Sequence, residues 1–149
     1  MKSFKKLLSF LVITSILLSF SLSVIAADPE NTVYTDVLVS AGSTYRTSES
    51  VKKTGTDRRC YIRLRWFQFQ YYPESSMPGG YKIYARMCTS DGTAASVDAE
   101  FTTTTSQGDY NYSYKPGYGG SGQYYKMSTN SDYTSTYYWV KIDWNANPY

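Results

Sequence analysis

Apolar and polar positions alternate with a period of two along most of this chain, and the longest such run past the N-terminus is residues 60–70, CYIRLRWFQFQ. Cys60, Ile62, Leu64 and Trp66 fall on one face, with Tyr61, Arg63 and Arg65 on the other. Successive side chains of a strand point to opposite faces, so this pattern predicts a β-strand with one buried side. After Trp66 the phase changes, because Phe67 and Phe69 are now the apolar positions. A one-residue slip sends every side chain to the other face, so a bulge or a change of layer is required near Trp66 and Phe67. Residues 79–89, GGYKIYARMCT, alternate again, with Tyr81, Ile83, Ala85 and Met87 on one face. These two runs are expected to pair as the central antiparallel hairpin, joined through residues 71–78. Two registers compete. Setting Cys60 opposite Cys88 places Ile62 against Arg86 and Leu64 against Tyr84, whereas matching apolar to apolar moves the cysteines one residue out of line; a slip at the phase change would reconcile them.

The remaining elements follow from the same pattern. Residues 32–40 place Val33, Thr35, Val37 and Val39 on one face and end at Ala41-Gly42. A weaker segment, 43–51, leads into the polar stretch 52–57, expected to be a solvated connection. Ser90-Asp91-Gly92-Thr93 is a strong hairpin turn. After it, Ala95, Val97, Ala99 and Phe101 alternate with Ser96, Asp98 and Glu100, predicting a strand buried on one side. Beyond the threonine run 102–105 the chain becomes tyrosine-rich, with ten of its 17 tyrosines from Tyr110 onward. The last strand, 136–144, sets Tyr138, Val140, Ile142 and Trp144 against Tyr137, Trp139, Lys141 and Asp143. Seven or eight short strands with frequent turn signals and no helix past the N-terminus predict an all-β fold, a small antiparallel β-sandwich in preference to a barrel.

The N-terminus differs from everything after it. Lys2, Lys5 and Lys6 precede an uncharged apolar run, 7–25, and Ala26-Ala27 stand before Asp28-Pro29. This is the pattern of a secretory signal peptide over residues 1–27, in a helix and cleaved after Ala26 or Ala27; an uncleaved anchor is the alternative. A single secreted domain, 28–149, is the expected product. The chain has 15 basic and 12 acidic residues, and removing the three leader lysines leaves twelve of each. What remains is segregation, since residues 46–89 carry nine bases against three acids. Either the opposite patches mark a partner surface, or they meet across neighbouring strands; in the second case Asp98 and Glu100 belong near Arg63, Arg65 or Arg86. The two cysteines of an exported chain read as one disulfide, Cys60–Cys88, worth about 3 to 4 kcal/mol for a loop of this length.

The chemistry is as much a matter of exclusion. With no histidine in the chain, a Ser-His-Asp triad, a Cys-His nucleophile and a histidine metal site are excluded. No metal or cofactor site is expected, because the glycine-rich stretch 116–122 lacks the lysine and helix of a phosphate loop. A carboxylate-pair glycosidase survives on Asp98 and Glu100, about 7 Å apart along one strand face; solvated acids on a polar face account for the same pattern. The expected protein is therefore not an enzyme. Tyrosine and tryptophan couple a large apolar body to a polar tip, which suits stacking on sugars or gripping a protein. The candidate binding residues are Tyr110, Tyr112, Tyr114, Tyr118, Tyr137 and Trp139, though strand-forming tyrosines also fill cores. Arg58, Arg59, Arg63 and Arg65 are candidates for contact with an anionic wall polymer or lipid head group. Nucleic acid does not suit a neutral exported chain.

The lysine-rich leader, the short chain after it and the late segment 124–144, which contains YYWVKIDW, resemble small exported β-sandwich proteins of Gram-positive bacteria, lactococcin-like bacteriocins among them. The resemblance implies a secreted antagonist or envelope-acting protein and carries no functional residue with it. Two expectations stand: a secreted, non-enzymatic binding protein acting on an envelope glycan or protein, and a bacteriocin-like toxin that contacts the membrane.

Overall fold

The run 60–70 does form a strand, but its partners are not the expected ones. The computed structural model describes residues 31–77, 79–102 and 110–149; the leader, its cleavage point and Thr103 to Thr105 of the threonine run lie outside them. The described residues form nine strands: β1 (Val33–Val39), β2 (Tyr45–Arg46), β3 (Val51–Lys52), β4 (Arg59–Phe69), β5 (Ile83–Cys88), β6 (Ala99–Phe101), β7 (Asn111–Ser113), β8 (Tyr124–Ser131) and β9 (Tyr138–Asn145). No helix occurs among the described residues, and the strand count exceeds the expected seven or eight because the segment 43–52 contributes two short pieces. One sheet runs β1-β9-β4-β7; the other runs β2-β8-β5-β6, with β3 also on β8. All pairings are antiparallel.

The central hairpin is thus corrected: β4 and β5 lie in different sheets. The register conflict explains why. Against β9, Ile62 sits opposite Trp144 and Leu64 opposite Ile142, which satisfies the apolar pattern that Arg86 and Tyr84 would have frustrated. The long connection after β4 permits the crossing. It begins with Tyr71 in the left-handed region (φ 70°) and folds back through Ser75, whose N–H donates to the Phe67 carbonyl at 2.8 Å.

The disulfide is corrected for a related reason. Cys60 shares the core-facing phase of Ile62 and Leu64, whereas Cys88 has the phase of Tyr84 and Arg86, opposite to the buried Ala85 and Met87. The two thiols therefore belong to different sides of different sheets, and both are free and buried. Cys60 Sγ donates to the Tyr112 carbonyl at 3.2 Å and Cys88 Sγ to that of Lys126 at 3.6 Å. Burial pushes the Cys60 thiol up to about 12 and raises Cys88 as well.

The expected irregularity in β4 is present. Leu64 faces Ile142 while Trp66 faces Lys141, so Arg65 is the extra residue of a bulge. It turns Phe67 and Phe69 into the core and Trp66 out of it. A second bulge corrects the predicted strand 95–101. The N–H groups of Ala95 and Ser96 both donate to the Met87 carbonyl, at 2.9 and 3.2 Å. Ser96 is buried and its hydroxyl accepts from Met87 N–H at 2.9 Å, so Val97 is turned outward and the strand proper is only β6. The bulged segment reaches the other sheet: Val97 N–H donates to the Ser113 carbonyl at 3.0 Å and Lys115 N–H to that of Ala95 at 2.8 Å. Backbone groups at this edge are therefore paired between the sheets rather than left open.

Both sheets share one apolar core, with Ile62, Leu64, Phe67 and Phe69 from β4, Ile83, Ala85 and Met87 from β5, and Val140, Ile142 and Trp144 from β9. The stretch 52–57 is not wholly solvated, because Lys53 is fully buried. Its Nζ donates to the Arg59 carbonyl at 3.2 Å and lies 6.0 Å from the Tyr114 ring centre. Burial holds its pKa below the usual lysine value.

Candidate functional site: an aromatic sheet face

The four-stranded sheet turns one side to the core and presents the other. Its outward positions form three rows across β1, β9 and β4: Leu38–Trp139–Gln68, Asp36–Lys141–Trp66 and Tyr34–Asp143–Arg63. Exposed rings therefore alternate with charges. Tyr34 is 66% exposed, Trp139 43% and Leu38 42%, and Tyr137 stands exposed just before β9. The charges are held within the face. Lys141 Nζ bonds Asp36 at 3.2 Å and lies 5.5 Å from the Trp66 ring centre on its other side. Arg65, projected by the bulge, pairs with the nearly buried Asp143. Tyr34, Thr35, Asp36, Arg65, Lys141 and Asp143 line an open hollow of about 380 Å³. Internal pairing leaves the face close to neutral, and the Trp139 indole N–H has no hydrogen bond to a described residue.

The candidate tyrosines divide. Tyr137 and Trp139 belong to this face. Tyr110 is half-buried at its far end, edge-on to Tyr61 at 5.9 Å with the Arg63 guanidinium 5.0 Å above its ring. Tyr112 is half-buried beside the core, opposite Cys60 in the register. Tyr114 belongs to the core, a correction to its expected surface role. It is 6% exposed, its hydroxyl donates to the Ala146 carbonyl at 3.0 Å, and its ring centre is 4.7 Å from that of Tyr125. Burial raises its pKa above the usual tyrosine value. Tyr118 lies elsewhere, in the glycine-rich loop.

The four arginines do not form one cationic patch. Arg59 pairs with Asp57 at 2.6 Å, Arg63 rests on Tyr110, Arg65 holds Asp143, and Arg58 bonds the carbonyls of Lys115 and Tyr118. Much of the charge segregation in the sequence is cross-strand pairing. Arg86 meets Asp98 at 3.2 Å and Lys82 meets Glu100 at 2.6 Å on the other sheet. Each of the two carboxylates considered for hydrolysis is thus held by its own cation.

The chain matches no protein-family model, no curated protein and no solved structure.

Sequence reasoning missed Tyr34, Leu38 and Trp66. Tyr34 and Leu38 occupy the outward phase of β1, so two large apolar side chains at solvent positions were a legible signal. Trp66 required the bulge to be placed one residue earlier, at Arg65. Among the described residues, no group of three or more histidine, cysteine or carboxylate side chains is arranged to hold a metal ion.

Proposed function

We propose that the protein is an exported, non-enzymatic binding module, a small β-sandwich whose four-stranded outer face engages an envelope glycan. The observation that carries this reading is the exposed Trp139, flanked in register by Leu38 and one row from Trp66, on a face where Lys141 pairs with Asp36, Arg65 pairs with Asp143 and Arg63 rests on Tyr110. Flat aromatic surface with polar tips suits the apolar faces of sugar rings and the hydroxyls around them. Neutralised charges between the rings add hydrogen-bonding groups without imposing an ionic partner. An extended polymer chain fits this broad surface better than a deep pocket would require.

Co-sedimentation with purified envelope polysaccharide tests the reading. Trp139→Ala is expected to weaken binding at least tenfold, about 1.4 kcal/mol, with an unchanged thermal transition. Full binding by this variant, or retention of an envelope protein and no glycan, would remove the glycan assignment.

A further inference from the structure

Two candidate residues that the aromatic face does not use, Arg58 and Tyr118, are brought together at another corner of the molecule. Arg58 Nη2 donates to the Tyr118 carbonyl at 3.0 Å and to the Lys115 carbonyl at 3.3 Å. These bonds fix the start of β4 to the glycine-rich loop. Tyr118 separates two hollows. One, of about 370 Å³, is lined by Thr56, Arg58, Tyr118 and Ser121 over the backbone of the loop glycines. The other, of about 330 Å³, is lined by Thr89, Ser90, Tyr118, Gln123, Tyr124 and Tyr125.

The loop is built to hold its shape. Gly119 N–H donates to the Tyr125 hydroxyl at 2.6 Å, Gly120 N–H to Gln123 Oε1 at 2.9 Å and Gly122 N–H to the Lys53 carbonyl at 2.7 Å. The Ser121 hydroxyl donates to the Thr54 carbonyl at 3.0 Å. Gly119 has φ +79°, and a Cβ there would lie 2.6 Å from the Tyr114 ring, so the loop packs on the core only with glycine. The missing side chains also leave its outer backbone open to close approach by a ligand.

Charge gives the ligand class. Arg58 is exposed and makes no ion pair with a described residue, because its neighbour Asp57 is engaged by Arg59. Its Nε and Nη1 carry no hydrogen bond to a described residue, which leaves N–H donors for a carboxylate. Lys52 does not line the second hollow, but its Nζ lies 6.0 Å from the ring centre of Tyr124, which does. Arg58 is thus the cation of the first hollow, and Tyr118 lines both, with hydroxyls of Thr56, Ser121, Thr89 and Ser90 around them.

We propose that this corner is a second binding site, for an acidic oligosaccharide whose uronate carboxylate meets Arg58 and whose sugar ring lies against Tyr118. The site is separate from the aromatic sheet face and does not depend on it. Isothermal titration of the protein with a uronate-containing oligosaccharide, a neutral oligosaccharide of the same length and sodium acetate tests it. The uronate form is expected to bind at least tenfold more tightly than the neutral one, and acetate only weakly. Tyr118→Ala and Arg58→Lys should each weaken the uronate form at least fivefold, with amide spectra showing the fold intact, while Trp139→Ala leaves it unchanged. Equal affinity for acidic and neutral forms overturns the proposal, as does wild-type affinity in Tyr118→Ala. Acetate binding as tight as the oligosaccharide would show a bare anion site and also overturn it. Loss of uronate binding in Trp139→Ala, with Tyr118→Ala unaffected, would assign the ligand to the sheet face and overturn only the corner site.

Discussion

The outer faces of the two sheets are built from similar residues and handle them differently. On the five-stranded sheet, the outward side chains of β5 are tied down: the Tyr84 hydroxyl donates to Asp132 at 3.2 Å, Arg86 and Lys82 are bound by Asp98 and Glu100, and Cys88 is buried, while Tyr124 of β8 is left exposed under Lys52. On the four-stranded sheet the charges pair with each other between the rings, and Trp139, Tyr137 and Leu38 are left presenting their surface. Aromatic content therefore does not mark a binding face. What marks it is a group of exposed aromatic and apolar side chains in adjoining rows, set between ion pairs of the same face.

Substitutions in the shared core should disturb both faces together and have the largest effect. Ile142, opposite both Thr35 and Leu64, is fully buried. Ile142→Ala is expected to cost about 3 kcal/mol, read as a lower urea midpoint. Both faces should keep their relative properties in the fraction that remains folded.

Alkaline pH should separate the two cysteines. A thiol whose folded pKa lies above its unfolded value contributes stability that is present below the unfolded pKa and lost as pH rises toward the folded one. For Cys60 that window runs from the ordinary thiol value of 9.0 to about 12, at about 1.4 kcal/mol per pH unit across it. The buried tyrosines Tyr114 and Tyr138, also raised by burial, add to the loss at the upper end. Lys53 works against it, because its lowered pKa makes stability rise as pH climbs toward 10.5. Urea titrations between pH 8 and 11 should therefore show a falling midpoint, with a shallower fall in Cys60→Ala than in Cys88→Ala. Equal slopes would mean that Cys60 is not the more deeply protected thiol.

A smaller contrast lies between two tyrosines. Tyr114→Phe strands the Ala146 carbonyl and should cost about 1 to 2 kcal/mol, whereas Tyr137→Phe should change stability by less than about 0.5 kcal/mol. Thermal unfolding of the two variants reads the difference directly.

Much of this architecture was legible from phase alone. The alternation in β1 and β9 identified their buried sides, and the shift from Leu64 to Phe67 announced the bulge. Phase assigns faces but not partners, so the same pattern allowed β4 to be paired with β5, and only the mismatch of Ile62 with Arg86 hinted at another strand. The disulfide failed for a reason visible beforehand, since Cys88 is out of phase with the buried positions of its own strand. Tyr114 was not legible, because its burial comes from Tyr125 and the glycine loop folding over it. Nor was Lys53, a lysine in a polar stretch whose ammonium is held by a backbone carbonyl six residues on.

The three tryptophans provide the most direct test of the binding face. Trp139 stands on it, Trp66 lies half-covered beside Lys141, and Trp144 is buried with its indole N–H donating to Thr35 Oγ1 at 3.0 Å. Their indole resonances can be followed by heteronuclear NMR as soluble envelope glycan fragments are added. The largest shift is expected at Trp139, a smaller one at Trp66 and none at Trp144. Saturable glycan binding that leaves the Trp139 indole unmoved while shifting Tyr84 and Arg86 amides would contradict the placing of the binding face on the four-stranded sheet.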